Sequence, residues 1–309
     1  MCKYSFLLPA YKSAFFEDAL GSILAQTYTD FSVIVSDDCS PEDLKSVIDK
    51  FNDPRVTYRR NAKNIGAEHL VEHWNLLLSL TDAEYIIMAS DDDVYDSAFL
   101  EEIDGLVKKY DDINVFQSRV NQIDANGIVF WKEILSDDVV MDRKMYMQMS
   151  AKGLMSSGIP QYVFKRRPLV DAGGFVNFPM AWFSDDATVT RMAENGLAIS
   201  QKHLFSIRHS GISISTAKAE KKEVWQGKLK ASAEYADMMA SIVSEYNDSS
   251  LLELMYIKAR KFVIPMLLES SDGVFFDMMA YIRKFHSPLY PAKWRIRRYV
   301  GRFYHKLFR

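Results

Sequence analysis

Three consecutive carboxylates follow an apolar run near the end of the first third of the chain. Asp91, Asp92 and Asp93 come directly after residues 86–90. In an extended segment alternate side chains such as Asp91 and Asp93 point the same way, which would give two hard oxygen ligands. Mg²⁺ and Mn²⁺ are commonly held by one or two carboxylates together with the phosphates of a substrate. The triplet therefore predicts a divalent-metal site, and the competing interpretation is a solvated turn or the N-cap of a helix that begins near Ala98.

A second pair of acids follows an earlier apolar run. Asp37 and Asp38 stand just before Ser40. A carboxylate fixed in such a loop can accept hydrogen bonds from the imide N–H of a uracil or from the hydroxyls of a ribose. The competing interpretation is a polar turn with Ser40 as the N-cap of a helix beginning at Pro41, which would account for one of the two acids. Tyr11 follows the first apolar run and either stacks on a base or shields the end of the sheet.

A third pair of acids, Asp185 and Asp186, opens a predicted helix. The helix dipole favours acids in a first turn, so capping alone explains one of them. The other would serve as general base for a hydroxyl group. Trp182 is either a stacking surface for a sugar or a core residue. His209 follows a predicted strand and is either a surface residue or a contact to a metal or diphosphate.

The elements that must position these residues alternate along the chain. Apolar, β-rich runs at residues 5–8, 31–35, 56–58 and 85–89 are separated by segments with helical periodicity. This alternation predicts an α/β fold with a mostly parallel sheet flanked by helices. Ligands of such sheets bind beyond the carboxyl ends of the strands. The five acids that follow strands are therefore predicted to converge on one rim: Asp37, Asp38, Asp91, Asp92 and Asp93.

The pattern changes twice along the rest of the chain. Residues 113–215 mix short strands with helices and are expected to extend the sheet. Residues 216–309 read as long helices separated by Ser, Asp and Gly clusters. We therefore predict a first domain over residues 1–215 and a C-terminal helical region over residues 216–309.

Composition limits the classes of protein to consider. The chain has 309 residues, 48% of them apolar, which is enough for a full core. Its two cysteines, Cys2 and Cys39, have no spacing that suggests a metal knuckle or a disulfide framework, so a reducing compartment is expected. No apolar run reaches the ~18 residues of a spanning helix, and the N-terminal run is too short for a signal peptide. The expected location is the cytoplasm.

The charge is distributed unevenly. The net charge is −3, yet Arg283 to Arg309 contains nine Lys or Arg residues and no acid. A helical projection of residues 294–309 groups apolar and basic side chains on neighbouring sides, which is typical of a helix at an anionic lipid surface. The alternative is a helix packed on the domain with its basic face in water. Nucleic acid is not an expected partner, because the rest of the chain is acidic.

Five segments together resemble glycosyltransferase family 2, in order and spacing. They are Ser5 to Tyr11, Ser22 to Phe31, Asp37 to Ser40, Asn64 to Gly66, and Ser90 to Asp93, and the resemblance covers residues 3–215. It implies a GT-A fold, which is a Rossmann-like, mostly parallel mixed sheet flanked by helices, here with a C-terminal helical extension. It also implies a nucleoside-diphosphate sugar donor, commonly UDP-linked, bound by residues 1–112. The acceptor would bind residues 113–215, and transfer would invert the anomeric carbon.

The resemblance also implies roles for individual residues. Contacts to the donor are expected from Pro9, Ala10, Tyr11, Asp38, Asn64, Gly66, Ser90, Asp91 and Asp92. The metal, Mn²⁺ or Mg²⁺, is expected at Asp91 and Asp93, with Asp92 as an alternative and His209 as a further ligand. Asp186 corresponds to the catalytic base, and Asp185 replaces the family's Glu beside it, which makes Asp185 the alternative base. Residues 73–75 read His-Trp-Asn where Ala-Arg-Asn is common in the family.

The expected activity is a single displacement in cell-surface polysaccharide synthesis. A hydroxyl of a glycan or lipid-linked oligosaccharide would attack the donor sugar at the inner face of the cell membrane. One competing interpretation is a non-catalytic sugar-binding or assembly protein on the same scaffold. Another is a sugar-phosphate nucleotidyltransferase, which should carry a Gly-rich basic loop where this chain has Pro9 to Lys12. A phosphatase with an aspartyl nucleophile needs the pattern Asp-x-Asp-x-Thr or Asp-x-Asp-x-Val. Here Tyr95 occupies the last position of that pattern.

Overall fold

The computed structural model describes residues 2–134, 139–156, 158–211, 221–261 and 263–284. The chain divides into two compact units. The first comprises Met1–Asn177 and Ser184–Ala217, and the second comprises Phe178–Phe183 and Lys218–Arg309. Six residues from the middle of the chain group with the C-terminal helices in this division, whereas the sequence analysis predicts a single boundary after residue 215.

The first unit is built on one sheet. In the part of the chain that the structure describes, its strands are β1 (Tyr4–Ala10), β2 (Phe31–Asp37), β3 (Val56–Arg60), β4 (Tyr85–Met88), β5 (Val94–Tyr95), β6 (Val115–Asp124), β7 (Val129–Lys132), β8 (Val140–Met141), β9 (Tyr162–Lys165) and β10 (Leu197–His209). Their order is β3-β2-β1-β4-β9-β6-β10-β5, with β7 paired to β6 and β8 to β10.

The N-terminal half of the sheet is parallel. Strand β1 pairs in parallel with both β2 and β4, and β2 pairs in parallel with β3. Central parallel strands are covered on both faces, which requires continuous apolar runs, and residues 4–8 of β1 are fully buried. The parallel arrangement brings the carboxyl ends of β1, β2 and β4 to the same edge, so the residues that follow them are neighbours in space.

The C-terminal half of the sheet is mixed. Strand β6 pairs in parallel with β10 but antiparallel with β9, and β9 also pairs antiparallel with β4. The short β5 adds an antiparallel edge to β10. This part was expected only to extend the sheet, and β9 joins its two halves.

Helices cover the sheet of the first unit. They are α1 (Phe16–Leu24), α2 (Leu44–Phe51), α3 (Leu70–Leu78), α4 (Phe99–Lys109), α5 (Arg143–Lys152), α6 (Arg166–Asp171) and α7 (Ser184–Met192). In α1, Phe16, Ala19, Leu20 and Ile23 recur at helical spacing and are buried. The α/β prediction is confirmed.

The predicted start of α2 was three residues too early. The helix begins at Leu44, and Asp43 is its N-cap, accepting a hydrogen bond from Ser46 N at 3.1 Å. Ser40 instead accepts from Glu42 N at 3.0 Å and donates to the carbonyl of Tyr11 at 2.6 Å. Ser40 therefore ties the end of β2 to the end of β1 rather than capping a helix.

The second unit is helical. It contains α8 (Lys222–Ser244), α9 (Ser249–Lys261), α10 (Val263–Glu269) and α11 (Asp272–Lys284). Within it the segment Phe178–Phe183 packs on α8, where Phe183 stacks on Tyr235 with ring centroids 4.3 Å apart. The predicted basic interfacial helix over residues 294–309 lies outside the described residues. Within the described ranges, no helix is long and apolar enough to cross a bilayer.

Candidate functional site

A cavity of about 560 Å³ opens at the carboxyl ends of β1, β2 and β4. All nine residues that the sequence assigns to donor binding line it: Pro9, Ala10, Tyr11, Asp38, Asn64, Gly66, Ser90, Asp91 and Asp92. They come from four separate segments of the chain. The parallel sheet is what brings these segments to one place.

Asp91 joins the loops that follow β4 and β1. Its Oδ2 atom accepts hydrogen bonds from the backbone N–H groups of Tyr11 at 2.8 Å and Lys12 at 2.9 Å. Within the described residues its Oδ1 atom makes no hydrogen bond. One oxygen therefore fixes the loop, and the other is available to a ligand in the cavity that Asp91 lines.

Asp38 organises a second wall of the cavity. Its Oδ1 atom accepts from Ile65 N at 2.8 Å and Asn61 Nδ2 at 2.9 Å, and its Oδ2 atom accepts from Gly66 N at 3.0 Å. Asn64 returns a hydrogen bond from Nδ2 to the carbonyl of Asp38 at 3.1 Å. Gly66 has a φ of 73°, a conformation that side chains oppose. Asp38 therefore fixes the conformation of residues 64–66.

Two of the five acids expected at the rim do not line the cavity. Asp37 accepts from Ser40 N at 2.7 Å and Tyr58 Oη at 2.8 Å, and it also pairs with Arg60. Asp37 therefore stabilises the polar turn before Ser40. This is the role that the competing interpretation gave to one acid of the pair Asp37 and Asp38.

Asp93 is the second acid turned away from the cavity. It accepts from Ser90 Oγ at 2.5 Å and from the backbone N–H of Arg208 at 2.8 Å, and it is 6% exposed. The expected pairing of Asp91 with Asp93 assumed an extended backbone. Residues 91 and 92 instead form a bend, so the neighbouring Asp91 and Asp92 both border the cavity. Neither Asp92 nor Asp93 caps α4, whose N-cap is Ala98.

The acidic cluster concentrates negative charge. Burial, followed by the charge of Asp92, raises the pKa of Asp93 to about 7. Burial and then the charge of Asp91 raise the pKa of Asp92. A cation beside these groups would relieve both effects. Among the described residues no group of three or more His, Cys, Asp or Glu side chains is arranged to hold a metal ion, so an ion at Asp91 and Asp92 would need further ligands such as substrate phosphates.

His209 lies outside this cluster. Its ring is exposed and packs edge-on against Phe130 with centroids 5.4 Å apart, and it does not line the cavity. Successive side chains alternate along β10, so Arg208 points inward instead. The Arg208 guanidinium donates to the carbonyl of Asp92 at 2.9 Å and lies 4.5 Å from the ring centroid of Phe15. Arg208, rather than His209, therefore holds the acidic loop in place.

The predicted catalytic acids also lie apart from the cavity lining. Asp186 is 3% exposed, and its Oδ1 atom accepts from Ser150 Oγ at 2.7 Å and from Tyr146 Oη at 3.3 Å. Asp185 is half-buried and accepts the backbone N–H of Asp186 at 2.7 Å. Asp185 therefore makes the local first-turn contact expected of a capping acid. Trp182 belongs to the second unit, where Lys228 Nζ lies 4.3 Å from its ring centroid.

Besides Ala89 just after β4, seven further residues line the cavity without having been singled out as its ligands. They are Lys12, Ala67, Leu70, His73, Trp74, Ile159 and Pro160. Leu70, His73 and Trp74 recur at the i, i+3 and i+4 spacing of one helix face on α3, which is a signal present in the sequence. Ile159 and Pro160 precede β9, and no sequence pattern places that strand beside β4. Tyr95 fixes Pro160 by donating to its carbonyl at 2.7 Å.

Comparison with known proteins identifies the family. Residues 5–169, more than half of the chain, match the model of glycosyl transferase family 2. The chain belongs to this family. It is therefore a glycosyltransferase, as its motifs predict. Over 77 residues it is 39% identical to the colanic acid biosynthesis glycosyl transferase WcaA of Escherichia coli (strain K12). That match spans 24% of this chain and only 26% of WcaA.

Solved structures confirm the predicted GT-A fold. The crystal structure of S. aureus TarS 1-349 in complex with UDP-GlcNAc matches with a TM-score of 0.70, at 14% identity, over 92% of this chain and 81% of TarS. The mannosyltransferase PcManGT from Pyrobaculum calidifontis, in complex with GDP-Man and Mn²⁺, matches with a TM-score of 0.50 at 13% identity. The second match covers 97% of this chain and 79% of PcManGT. At such identities the likeness concerns the fold alone.

Proposed function

We propose that this glycosyltransferase moves a sugar, with inversion, from a UDP-sugar to a hydroxyl of a glycan or lipid-linked oligosaccharide in cell-surface polysaccharide synthesis. The observation that carries the proposal is the cavity itself. It lies at the carboxyl ends of parallel strands and joins the acceptor oxygens of Asp38 to the acidic pair Asp91 and Asp92. Such a site offers hydrogen-bond acceptors to a nucleoside at one wall and carboxylates for a diphosphate-bound cation at another.

The relatives support a nucleotide-sugar donor. TarS was crystallised with UDP-GlcNAc and with UDP, and PcManGT with GDP-Man and Mn²⁺. WcaA is assigned to colanic acid biosynthesis, which agrees with a role in polysaccharide assembly.

Asp91 and Asp92 are the residues that would hold a divalent cation, Mn²⁺ or Mg²⁺. When bound, the ion would supply positive charge to offset the diphosphate. The protein contributes the fixed position of these carboxylates. Asp91 is held by the N–H groups of Tyr11 and Lys12, and Asp92 is held through Arg208 at its carbonyl.

Asp186 is the proposed general base. Hydrogen bonds from Ser150 and Tyr146 to Oδ1 orient its carboxylate. In a single displacement Asp186 takes the proton of the acceptor hydroxyl, and the acceptor oxygen bonds to the anomeric carbon. The bond from that carbon to the diphosphate oxygen breaks, and the nucleoside diphosphate leaves with the electron pair. One displacement inverts the configuration.

The basic C-terminal segment suggests where the acceptor is met. We propose that residues 294–309 attach the enzyme to the inner face of the cell membrane, based on their run of basic residues without acids. Sedimentation with anionic phosphatidylglycerol vesicles, but not with phosphatidylcholine vesicles, is expected. Equal sedimentation of a variant with Arg295, Arg298 and Arg302 changed to Glu would contradict this role.

A panel of nucleotide sugars tests the proposed function. The protein is incubated with each donor and Mn²⁺, and release of the nucleoside diphosphate is measured with and without glycan or lipid-linked acceptors. Release from a UDP-sugar that an acceptor accelerates is the expected result. Tight binding of a nucleotide sugar without turnover on any acceptor would favour a non-catalytic sugar-binding protein instead.

A further inference from the structure

His73 is a buried polar residue in the wall of the cavity. It lies on α3, lines the cavity and is 1% exposed. Its Nε2 atom is 2.8 Å from Ser36 Oγ and 3.4 Å from Asn61 Nδ2. The proposed function gives it no task, and a buried imidazole in a ligand cavity needs partners for both ring nitrogens.

The neighbours of His73 determine which ring nitrogen carries the proton. Asp38 accepts from the N–H groups of Ile65 and Gly66, and it therefore also acts as an acceptor toward Asn61. The amide nitrogen of Asn61 must face Asp38, and the same nitrogen faces His73 Nε2. Because that nitrogen only donates, Nε2 is an acceptor, and the neutral ring carries its proton on Nδ1.

The ring is neutral as well as oriented. Burial lowers the pKa of His73, Arg59 lowers it further, and Asp38 opposes them. Within the described residues Nδ1 makes no hydrogen bond. The side of the ring that carries Nε2 is engaged by Ser36 and Asn61, so Nδ1–H is the donor that His73 can offer to a ligand in the cavity.

We propose that His73 Nδ1–H donates a hydrogen bond to a carbonyl of the donor's nucleobase and makes the site selective for bases with an N–H beside a C=O. This inference rests on the proposed function. Asp38, linked to His73 through Asn61, supplies the neighbouring acceptor. Uracil and guanine present the matching donor and acceptor. Cytosine and adenine present an amino donor where His73 also donates, which leaves two donors facing each other.

Calorimetry with UDP, GDP, CDP and ADP in the presence of Mn²⁺ tests the inference. The wild-type protein is expected to bind UDP or GDP at least about tenfold more tightly than CDP and ADP. The comparison of UDP with GDP identifies which base of the matching class the cavity takes. Equal affinities for UDP, GDP, CDP and ADP would overturn the inference while leaving the proposed function standing, whereas failure to bind any nucleotide would overturn both.

Two variants assign the selectivity to His73. His73→Gln keeps an amide near the position of Nε2 for Ser36 and Asn61 but removes the Nδ1 donor. It is expected to lose about tenfold in affinity for the preferred nucleotide and to change CDP affinity less than about twofold. The control is His69→Gln, because His69 is exposed and does not line the cavity. Equal weakening of all four nucleotides in His73→Gln would show a merely structural role and overturn the inference.

Discussion

The Oδ2 atom of Asp38 accepts the backbone N–H of Gly66 at 3.0 Å. This contact connects the loop after β2 to the loop after β3, and both loops line the cavity. The carboxylate thus shapes the site in addition to any contact with a ligand. The same dual use occurs at Asp91, whose Oδ2 atom binds the backbone of Tyr11 and Lys12.

Replacement of Asp38 by Asn should therefore affect both stability and binding. An amide has one acceptor oxygen, so at least one of Ile65 N, Gly66 N and Asn61 Nδ2 would lose its partner. We expect the free energy of unfolding to fall by about 1–3 kcal/mol in urea denaturation and UDP affinity to fall at least about tenfold. Asp49→Asn, at an exposed position, is the matched control. Unchanged stability would show that the loop does not depend on this carboxylate.

The acidic triplet offers a direct comparison of adjacent acids. Asp92→Asn should remove the Mn²⁺-dependent part of UDP binding, because Asp92 borders the cavity. Asp93→Asn should retain it, because Asp93 is turned toward Ser90 and Arg208. Calorimetric titration of UDP with Mn²⁺ and with a chelator measures the difference. Loss of Mn²⁺-dependent UDP binding in Asp93→Asn but not in Asp92→Asn would instead support the metal pair Asp91 and Asp93, which an extended backbone predicts.

Asp186→Asn should abolish transfer while leaving donor binding largely intact. Loss of a positioned general base reduces rates by about 10²–10⁴-fold. Asp171→Asn, at an exposed position at the end of α6, is the control. Transfer is followed by product formation and donor binding by calorimetry. Loss of donor binding in Asp186→Asn would argue against its role as the base.

Gly174 tests the packing behind the cavity. A Cβ atom on Gly174 would lie 2.4 Å from Asn75 Oδ1, which accepts from Phe175 N at 2.7 Å and so cannot simply move away. Gly174→Ala should lower the free energy of unfolding by about 2–4 kcal/mol. Gly173→Ala is the matched control, because Gly173 has a similar positive φ but nothing within 4 Å, so backbone strain of about 1–2 kcal/mol is its expected cost. Equal losses would exclude the clash as the cause.

His73 should make stability depend on pH. Its pKa in the folded protein is lowered by burial, so between the folded and unfolded values the unfolded chain binds the proton more readily. The contribution of His73 to the free energy of unfolding is therefore complete above its unfolded pKa of about 6.5. It declines as the pH falls toward the pKa of His73 in the folded protein. Urea denaturation of wild type and His73→Gln across this range should show a difference that grows with pH. A constant difference would contradict the lowered pKa.

The candidate site was largely visible in the sequence because parallel sheets follow a simple rule. Each βα loop begins at the same edge, so residues after β1, β2 and β4 meet whatever the packing details. For this reason Tyr11, Asp38 and Asp91 are placed together by sequence alone. Only the tertiary structure orients adjacent side chains. The bend at residues 91 and 92 turns Asp92 toward the cavity and Asp93 away from it.

Other features of the site depend on contacts between distant segments. The inward direction of Arg208, rather than His209, follows from the register of β10 with β6, which pairs Arg208 with Ile123. The role of His73 follows from Ser36 and Asn61, which lie 37 and 12 residues away in sequence. The sequence by itself determined the mostly parallel sheet, the positions of its first strands in the chain and the acids at its edge. Which acids reach the cavity, and which partners orient them, was decided by tertiary packing, because side-chain direction depends on neighbours that no local pattern specifies.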